Sequence, residues 1–308
     1  MLSDLAPAAL FVYNRPEHTR QTVEALARNT EAAATRLYVF SDAPRTSDDQ
    51  PDVQAVRDYL RSIVGFLHVE IVERGTNYGL ARNIVDGVTE VCNSYGRVIV
   101  LEDDIVTSPY FLAFMNVALG RYAEEKSVWH ISGWNYPVDP NELGDAFLWR
   151  VMNCWGWATW VDRWKHFQKN PQRLIESWDK EKIRRFNLDG AQDFWAQVTA
   201  NDKGRLNTWA VFWYATIFEN NGLCLNPGRS FVHNIGLDGS GENCGASDLF
   251  RAGQLGKEFN DLPERKEESS LAVGRIKAFC SAMRPTFSQR VIRRVMNQFR
   301  SKKPENGR

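Results

Sequence analysis

The chain has 308 residues, of which 43% are hydrophobic and 25% charged, and its formal net charge is zero. These values are typical of a globular protein with one large domain or two small ones. They do not fit a nucleic-acid-binding domain, which would carry positive charge on its body.

Strand-like and helix-like segments alternate through the first third of the chain. Short apolar runs predict the strands, and apolar residues at helical spacing predict the helices between them. The alternation predicts an α/β fold with a parallel sheet and crossover helices. The predicted strands are residues 8–14, 36–42, 68–74 and 97–104, and the predicted helices are residues 16–30, 52–63 and 79–95.

Polar residues follow three of these predicted strands. Asn14 and Arg15 follow the first, Ser41 and Asp42 end the second, and the acids of Glu102–Asp104 end the fourth. Ligands of parallel sheets bind beyond the carboxyl ends of the strands. We therefore expect a binding site where these polar residues meet.

The stretch VIVLEDDIVTSP (98–109) places three acids directly after an apolar run, where unpaired carboxylates are costly. We expect a positive partner beside them. Three interpretations stay open: acids that favour the start of a helix over residues 108–122, a paired-carboxylate hydrolase, and a divalent metal that bridges carboxylates to a substrate diphosphate. The position at a strand end favours the metal, because Mg²⁺ and Mn²⁺ prefer oxygen ligands.

All 11 tryptophans lie between Trp129 and Trp213. We expect most of them to fill a core. Eleven in one region is more than packing alone requires, and an aromatic face can stack on the apolar face of a sugar. The sequence therefore predicts a Trp-rich acceptor-side region in which one or two of Trp134, Trp155 and Trp157 contact an acceptor sugar.

The organisation predicted for the chain has four parts. Residues 1–125 form an α/β half that carries the expected binding site at the strand ends, and residues 126–250 form the Trp-rich half of the same domain. The second half contains a glycine-rich loop, with Gly236, Gly239 and Gly241, that is either a lid or an ordinary surface loop. A linker (251–274) and a basic amphipathic tail (275–308) follow.

Several segments, in order, resemble glycosyltransferases with the GT-A fold. VIVLEDDIVTSPYFLAFMN is similar to the segment that carries their acidic metal-binding motif, and it is closest to the N-acetylglucosaminyltransferase I-like group. TNYGLARNIVDGV resembles a segment of family 2 glycosyltransferases. Similar matches come from FVYNRPEHTRQTVEAL, FSDAP, HISGWNYP, FLWRVMNCWGWATW and NPGRSFVHNIGLDGSG. The resemblance covers residues 8–245 and implies a Rossmann-like, mainly parallel sheet with helices on both faces.

The resemblance also implies roles for individual residues. It implies a cofactor, Mn²⁺ or Mg²⁺, and a nucleotide-sugar donor. Tyr13 and Arg15 would contact the nucleotide and its diphosphate, Asp42 a uracil-type base, and Arg82 the diphosphate. Glu102 would contact the donor sugar and Asp103 the ribose or the metal. Asp104 and His233 would bind the metal. The alternatives without a role in binding are a turn acid for Asp42, an exposed helix arginine for Arg82 and a structural histidine for His233.

An inverting transferase needs a general base for the acceptor hydroxyl. In the resembled group an aspartate near the start of a late helix serves, but here Asn207 and Thr208 occupy that place, and neither is a carboxylate. Asp193 and Asp238 are the catalytic substitutes that we predict, each with the alternative of a plain surface acid. A retaining reaction without a dedicated base stays open.

The C-terminal segment is basic, with ten Lys/Arg and one Glu in residues 275–308, whereas the rest of the chain holds 28 Lys/Arg and 37 Asp/Glu. Apolar residues at helical spacing in residues 284–303 resemble an amphipathic helix on an anionic membrane. The alternative is a helix docked on the acidic body.

Several absences predict the location of the protein. No apolar run approaches the ~20 residues that cross a bilayer, and the first residues lack the features of a signal peptide. The five cysteines are scattered without a CxxC pair, which favours reduced thiols over disulfides or structural zinc. We expect a bacterial cytoplasmic enzyme, peripheral on the inner face of the plasma membrane.

The sequence predicts a metal-dependent glycosyltransferase of the hexosyltransferase type that acts in polysaccharide biosynthesis. It would move a sugar from a nucleotide-diphosphate donor, with UDP-sugars favoured, to a glycan or lipid-linked hydroxyl, with inversion. One alternative is a sugar nucleotidyltransferase, although VYNRPEH lacks the glycines expected after its first strand. The other is an inactive sugar- or nucleotide-binding protein, which the missing base favours.

Overall fold

The computed structural model describes residues 5–239, 249–250 and 253–283. Its first third follows the predicted alternation closely. The strands are β1 (Ala8–Val12), β2 (Arg36–Ser41), β3 (His68–Glu73) and β4 (Arg97–Glu102), and the helices are α1 (Pro16–Ala27), α2 (Gln50–Leu60) and α3 (Gly79–Tyr95). Short 3-10 helices span Thr30–Ala34 and Ser47–Asp49.

The remaining elements are shorter and less regular. They are β5 (Ile105–Thr107), α4 (Phe111–Arg121), β6 (Val128–Ser132), β7 (Ala146–Trp149), β8 (Trp157–Trp160), α5 (Val161–Trp164), α6 (Pro171–Ser177), α7 (Lys180–Phe186), α8 (Trp195–Asp202), α9 (Ala210–Glu219), β9 (Leu223–Pro227), β10 (Val232–Asn234) and α10 (Ser270–Ala282).

Eight strands form one sheet in the order β3-β2-β1-β4-β8-β6-β9-β7, and β5 pairs with β10 in a separate two-stranded ribbon. The first four strands run parallel to one another. β8 is antiparallel to β4 and to β6, so β6 runs in the direction of β4, and β9 is parallel to β6. The predicted α/β fold with a mainly parallel sheet is confirmed.

This topology gives the sheet two distinct edges. We call the edge at the carboxyl ends of β1, β2, β4, β6 and β9 the carboxyl edge, and the opposite one the amino edge. β7 and β8 are antiparallel to these strands. They therefore begin at the carboxyl edge and end at the amino edge.

Both faces of the parallel half are covered. Every residue of β1 is buried, as expected for a strand with packing on each side. α3 lies close to one face, because a Cβ at its Gly87 would come within 2.7 Å of the Phe11 ring and 3.0 Å of the Phe40 ring. Those two rings stack with their centroids 5.1 Å apart. α3 ends at Tyr95 and is capped by Gly96, whose φ of 75° lies in the left-handed region that glycine favours.

Most of the tryptophans fill the core of the second half, as expected. Nine are buried, and Trp155 and Trp195 are partly buried. Their rings pack against one another, with Trp157 on Trp209 at 5.1 Å and Trp164 against Trp213 at 4.9 Å. This aromatic core joins β8 to α9.

The described part of the segment predicted as a linker, residues 251–274, packs on the domain. Phe259 meets Phe114 edge-on at 5.4 Å, and Tyr122 Oη donates to Pro263 O at 2.8 Å. The predicted boundary at residues 274 and 275 falls inside α10. The apolar residues spaced among the linker's charges explain the difference, because they bury while the charges stay in water. Residues 284–308 of the predicted tail and residues 240–248 of the glycine-rich loop lie outside the described residues.

Candidate active site

The three acids lie at the carboxyl edge, as the sequence predicts. β4 ends at Glu102, and the chain then turns into β5. The ribbon of β5 and β10 holds this turn, because Ile235 N donates to Asp104 O at 2.9 Å. Asp103 is 4% exposed, and the Asp104 side chain is 14% exposed. The carboxylates therefore occupy a nearly closed position.

The expected positive partner is Arg15, which enters from the end of β1. Its Nε lies 3.3 Å from Asp103 Oδ2, and its Nη2 lies 2.9 Å from Asp104 Oδ2 and also binds Asp103 Oδ1. One guanidinium thus holds two adjacent carboxylates. Its remaining nitrogen, Nη1, is buried and has no hydrogen-bond partner in the part of the chain that the structure describes. A buried N–H group without a partner is costly, so this nitrogen is suited to an incoming acceptor atom.

The electrostatics of the cluster follow from burial and crowding. Burial, then Asp104 and Asp103, raise the pKa of Glu102 to about 8. Burial and Asp104 also raise the pKa of Asp103 to about 6, although Arg15 opposes them. Burial lowers the pKa of Arg15, but Asp103 and Asp104 more than reverse this, so the net shift is upward. The cluster is short of positive charge.

A glycine closes one side of the cluster. A Cβ at Gly236 would collide with Asp104 Oδ2 and lie 3.0 Å from Arg15 Nη1. The backbone just after β10 therefore approaches both charged groups more closely than any other residue would allow. His233, the predicted additional metal ligand, lies opposite Val106 in the same ribbon. Its role as a ligand stays a prediction.

The described start of the glycine-rich loop also contacts the first helix. His18 Nε2 lies 3.1 Å from Asp238 Oδ2. Of the two predicted bases, Asp238 thus comes close to the cluster, since His18 is three residues beyond Arg15 and one helical turn along. The sequence reasoning missed His18 and the close approach of Gly236. The i, i+3 spacing of Arg15 and His18 at the helix start was the available signal for the histidine.

Asp193 lies in a different environment. Its Oδ1 accepts hydrogen bonds from Ala196 N at 3.2 Å and Asn187 Nδ2 at 3.4 Å, at the start of α8. This is the position of a helix cap, in line with the plain structural alternative. Asn207 accepts a hydrogen bond from Lys169 Nζ.

Asp42 directly follows β2, and its carboxylate accepts hydrogen bonds from three backbone amides. Oδ1 accepts from Ala43 N at 2.9 Å and Tyr78 N at 2.8 Å, and Oδ2 accepts from Gly79 N at 2.9 Å. The carboxylate therefore caps α3 from a neighbouring strand. The described contacts match the turn-acid alternative, and the predicted contact with a base stays a prediction.

Two other predicted donor contacts lie near the same strand ends. Tyr13 Oη accepts from Arg45 N at 3.0 Å, and burial raises the pKa of its phenol. Arg82 is exposed, pairs with Asp86 at 3.3 Å and stacks on the Tyr78 ring at 4.0 Å. These contacts are those of an ordinary helix arginine.

The predicted acceptor tryptophans differ in access. Trp157 is 0% exposed and lies between the His130 and Trp209 rings, so neither of its faces is open to a sugar. This burial does not fit the predicted contact. Trp134 is also buried, with its ring 4.6 Å from Trp155. Trp155 is only partly buried, which makes it the one of the three that can present a ring face.

The residues present fit a metal that substrate oxygens help to hold. Within residues 5–239, 249–250 and 253–283, no three His, Cys, Asp or Glu side chains are placed to bind a cation by themselves. Mg²⁺ and similar ions often take one or two carboxylates plus substrate phosphates. Asp104 and its neighbours supply that smaller donor set, and the unpartnered Arg15 Nη1 marks room for a further acceptor.

No protein-family model matches the chain, and no curated protein matches it. Among solved structures, the chain is similar to S. aureus TarS, at 15% identity and a TM-score of 0.29, over 41% of this chain and 21% of that one. It is also similar to the mannosyltransferase PcManGT from Pyrobaculum calidifontis in complex with GDP-Man and Mn²⁺, at 13% identity and a TM-score of 0.38, over 71% of this chain and 72% of that one. The chain thus matches about a fifth of the length of TarS. Likenesses this low decide neither activity nor substrate.

Proposed function

We propose that this chain is a metal-dependent glycosyltransferase. It transfers a sugar from a nucleoside diphosphate donor, with UDP-sugars favoured, to a hydroxyl of a glycan or lipid-linked glycan, with inversion. The observation that carries the proposal is the half-buried Arg15 side chain at the carboxyl edge, which pairs with Asp103 and Asp104 and keeps one buried nitrogen, Nη1, unpartnered among the described residues.

Arg15 is placed to bind an anionic oxygen. Its Nη1 has no acceptor in the described part of the chain, and charge-assisted hydrogen bonds from arginine to phosphate are strong. Position supports the same ligand, because substrates of such sheets bind beyond the carboxyl ends of their strands. A diphosphate of the donor supplies the acceptor that Nη1 lacks.

The charge balance of the cluster explains the need for a metal. One guanidinium pairs with two carboxylates, those of Asp103 and Asp104, so the cluster has excess negative charge and a diphosphate arriving alone would be repelled. Asp104 and its neighbouring carboxylates would hold Mn²⁺ or Mg²⁺ together with the diphosphate oxygens. Such an ion supplies charge neutralisation to the departing nucleoside diphosphate.

We choose the acceptor-binding tryptophan by its exposure and the general base by its distance from the acidic cluster. Trp155 offers the ring face for an acceptor sugar, since Trp134 and Trp157 are buried. Asp238 is the base to test first, because its contact with His18 places it beside the cluster, whereas Asp193 caps α8. An Asp238→Asn variant should lower turnover without lowering donor affinity, and Asp193→Asn should change neither.

One observation favours the inactive binding protein as a second candidate. Asn207 stands where the resembled family has its base, and it is bound by Lys169. Such a protein would bind the nucleotide through the same cluster but leave the sugar in place.

Donor turnover tests the proposal. UDP-sugars and GDP-sugars would be incubated with the protein and Mn²⁺, and release of the nucleoside diphosphate would be followed. We expect release with one donor class and a loss of roughly 100-fold in Asp104→Asn, the size typical when a transition-state charge contact is removed. Asp58→Asn, at a side chain that is 63% exposed on α2, is the matched control and should keep full activity.

Two results would overturn the transferase assignment. Binding of a nucleotide sugar without any release of the diphosphate would favour the inactive binding protein. Equal activity of wild type and Asp104→Asn would remove the acidic cluster from the reaction.

A further inference from the structure

Helix α9 begins at the carboxyl edge of the sheet. Its N-cap residue, Trp209, stacks on Trp157 with the ring centroids 5.1 Å apart. Trp157 is the first residue of β8 and pairs with Ser132, the last residue of β6, which ends at the carboxyl edge. β8 is also the direct neighbour of β4, whose end carries the acidic cluster. The residues that lead into α9 therefore lie beside the proposed donor site.

Two segments rich in positive charge meet at the start of α9. Residues 165–170 and 203–208, which we call the basic rim, hold four Lys/Arg and no Asp or Glu, although Asp202 directly precedes the second segment. Lys169 joins the two segments, because its Nζ donates to Asn207 Oδ1. The four cations, all of them exposed residues, are Lys165, Lys169, Lys203 and Arg205. The rim therefore carries net positive charge beside the donor site.

The ammonium group of Lys169 is partly dehydrated, although the residue as a whole is exposed. It contacts the amide oxygen of Asn207 and lies 5.6 Å from the centroid of the buried Phe212 ring. Burial lowers the pKa of Lys169, and no carboxylate of residues 5–239, 249–250 or 253–283 forms an ion pair with it. A cation that loses water without gaining a counter-ion is destabilised. An anionic ligand group at Lys169 would relieve this.

Another lysine that packs on an aromatic ring has its counter-ion within the chain. Lys182 Nζ lies 4.5 Å from the centroid of the Trp178 ring and 3.5 Å from Glu219 Oε1. The fold thus supplies a carboxylate to a lysine at the end of α9, but supplies none to Lys169 at its start. The counter-ion of Lys169 is therefore suited to come from a ligand.

The acidic cluster does not keep an anion away from the basic rim. Asp103 and Asp104 both pair with Arg15, and the proposed metal adds further positive charge. Asp103 is 4% exposed and the Asp104 side chain 14% exposed, so little of their charge faces solvent. Exposed charges act mainly on groups within ~8–10 Å. A group that contacts Lys169 consequently responds chiefly to the rim.

We infer that Lys169 binds an anionic group of the acceptor, and that the acceptor is an acidic glycan. The group is a carboxylate, as in a uronic acid, or a phosphate, as in a sugar phosphate, and either accepts charge-assisted hydrogen bonds from Nζ. The position of the rim beside β4 lets one unit of the glycan contact Lys169 while a hydroxyl of a neighbouring unit faces the donor sugar. This conclusion on substrate class rests on the proposed function.

Binding of small acidic sugars tests the site without any assay of transfer. Full-length protein would be titrated by calorimetry with trigalacturonate and its neutral methyl ester, and with glucose 6-phosphate and glucose. We expect at least one acidic probe to bind at least tenfold tighter than its neutral counterpart, and the better probe identifies the group as carboxylate or phosphate. Lys169→Gln should lose at least tenfold in affinity for that probe, whereas Lys169→Arg, which keeps the charge, should retain most of it.

Lys180→Gln is the matched control. Lys180 is exposed on α7, the helix whose Lys182 contacts Glu219 at the end of α9, so it lies toward the amino edge. The substitution removes the same charge and should leave probe affinity as in wild type. Equal losses in Lys169→Gln and Lys180→Gln, equal affinity of wild type for acidic and neutral probes, or no binding of either acidic probe would overturn the inference.

The result is separable from the donor assignment. Asp104→Ala should bind the acidic probe as wild type does, because the probe contacts Lys169 and not the metal site. The probe result therefore stands even if metal-dependent donor turnover is not found. Conversely, donor turnover without any preference for an acidic probe would leave the transferase assignment in place and remove only the acidic acceptor.

Discussion

His130 is a fully buried residue whose two ring nitrogens both have hydrogen-bond partners. Its Nδ1 accepts a hydrogen bond from Trp213 Nε1 at 3.2 Å, which leaves the proton on Nε2, 3.0 Å from Asn153 O. A second proton on Nδ1 would face the indole N–H. Burial lowers the pKa of His130 to about 3, so the folded protein holds the ring neutral.

This arrangement predicts acid sensitivity. The unfolded chain takes up a proton near pH 6.5 and the folded chain only near pH 3, so the free energy of unfolding should fall as the pH drops between these values. The slope contributed by one proton is at most about 1.4 kcal/mol per pH unit. Urea unfolding from pH 7.5 to pH 4 measures it, in wild type and His130→Gln.

We expect His130→Gln to be less stable at pH 7.5 but to lose this part of the pH dependence. His68→Gln, at a side chain that is 49% exposed, is the control and should keep it. Parallel pH profiles for wild type and His130→Gln would contradict the account.

Gly236 gives a second prediction at the scale of one residue. Gly236→Ala would push a methyl group against Asp104 Oδ2 and toward Arg15 Nη1. We expect nucleotide affinity to fall at least tenfold, with a smaller effect on thermal unfolding, because the collision is with the site. Gly253→Ala is the control, since a Cβ there meets nothing within 4 Å. Unchanged affinity in Gly236→Ala would separate this glycine from the site.

At the scale of elements, Asp42 joins the end of β2 to the start of α3. Of the three amides that it holds, that of Ala43 is buried and those of Tyr78 and Gly79 are partly buried, so removing the carboxylate leaves them without this acceptor. Asp42→Ala should therefore lower the free energy of unfolding by about 2 kcal/mol. Asp42→Asn should cost less, because its amide oxygen can still accept. Asp48→Ala, at an exposed acid nearby, should cost little.

Nucleotide affinity distinguishes the two roles of Asp42, capping of α3 and the predicted contact with a uracil-type nucleobase. Capping predicts that Asp42→Asn keeps its affinity well below its unfolding temperature. A large loss of affinity with full stability would instead support the contact with a uracil-type base.

The elements of the first third were predictable because local pattern and position agree there. The sequence predicted β1 to β4 and α1 to α3 from apolar runs, turn residues and helical spacing. Because the carboxyl ends of parallel strands meet at one edge, it also predicted that the residues after β1 and β4 lie close together. The second half was harder, because β6 to β9 are short, mix directions and lie in an aromatic core. Ring burial is a property of tertiary packing, so the sequence could not distinguish buried Trp157 from partly buried Trp155.

At the scale of the whole molecule, charge is distributed unevenly. Acids concentrate at the carboxyl edge, with one arginine among them. This arrangement calls for a cation together with an anionic ligand. Among the described residues, no helix is both long and apolar enough to cross a membrane.

The most direct test of the central claim is calorimetric titration of UDP, and then of GDP, with and without Mn²⁺. Wild type and Asp104→Ala would be compared, with Asp58→Ala as the control. We predict that one nucleotide binds only with Mn²⁺ and that Asp104→Ala abolishes this binding while Asp58→Ala keeps it. Binding that ignores both the metal and Asp104, or no binding of either nucleotide, would contradict the assignment and leave the three acids as structural residues.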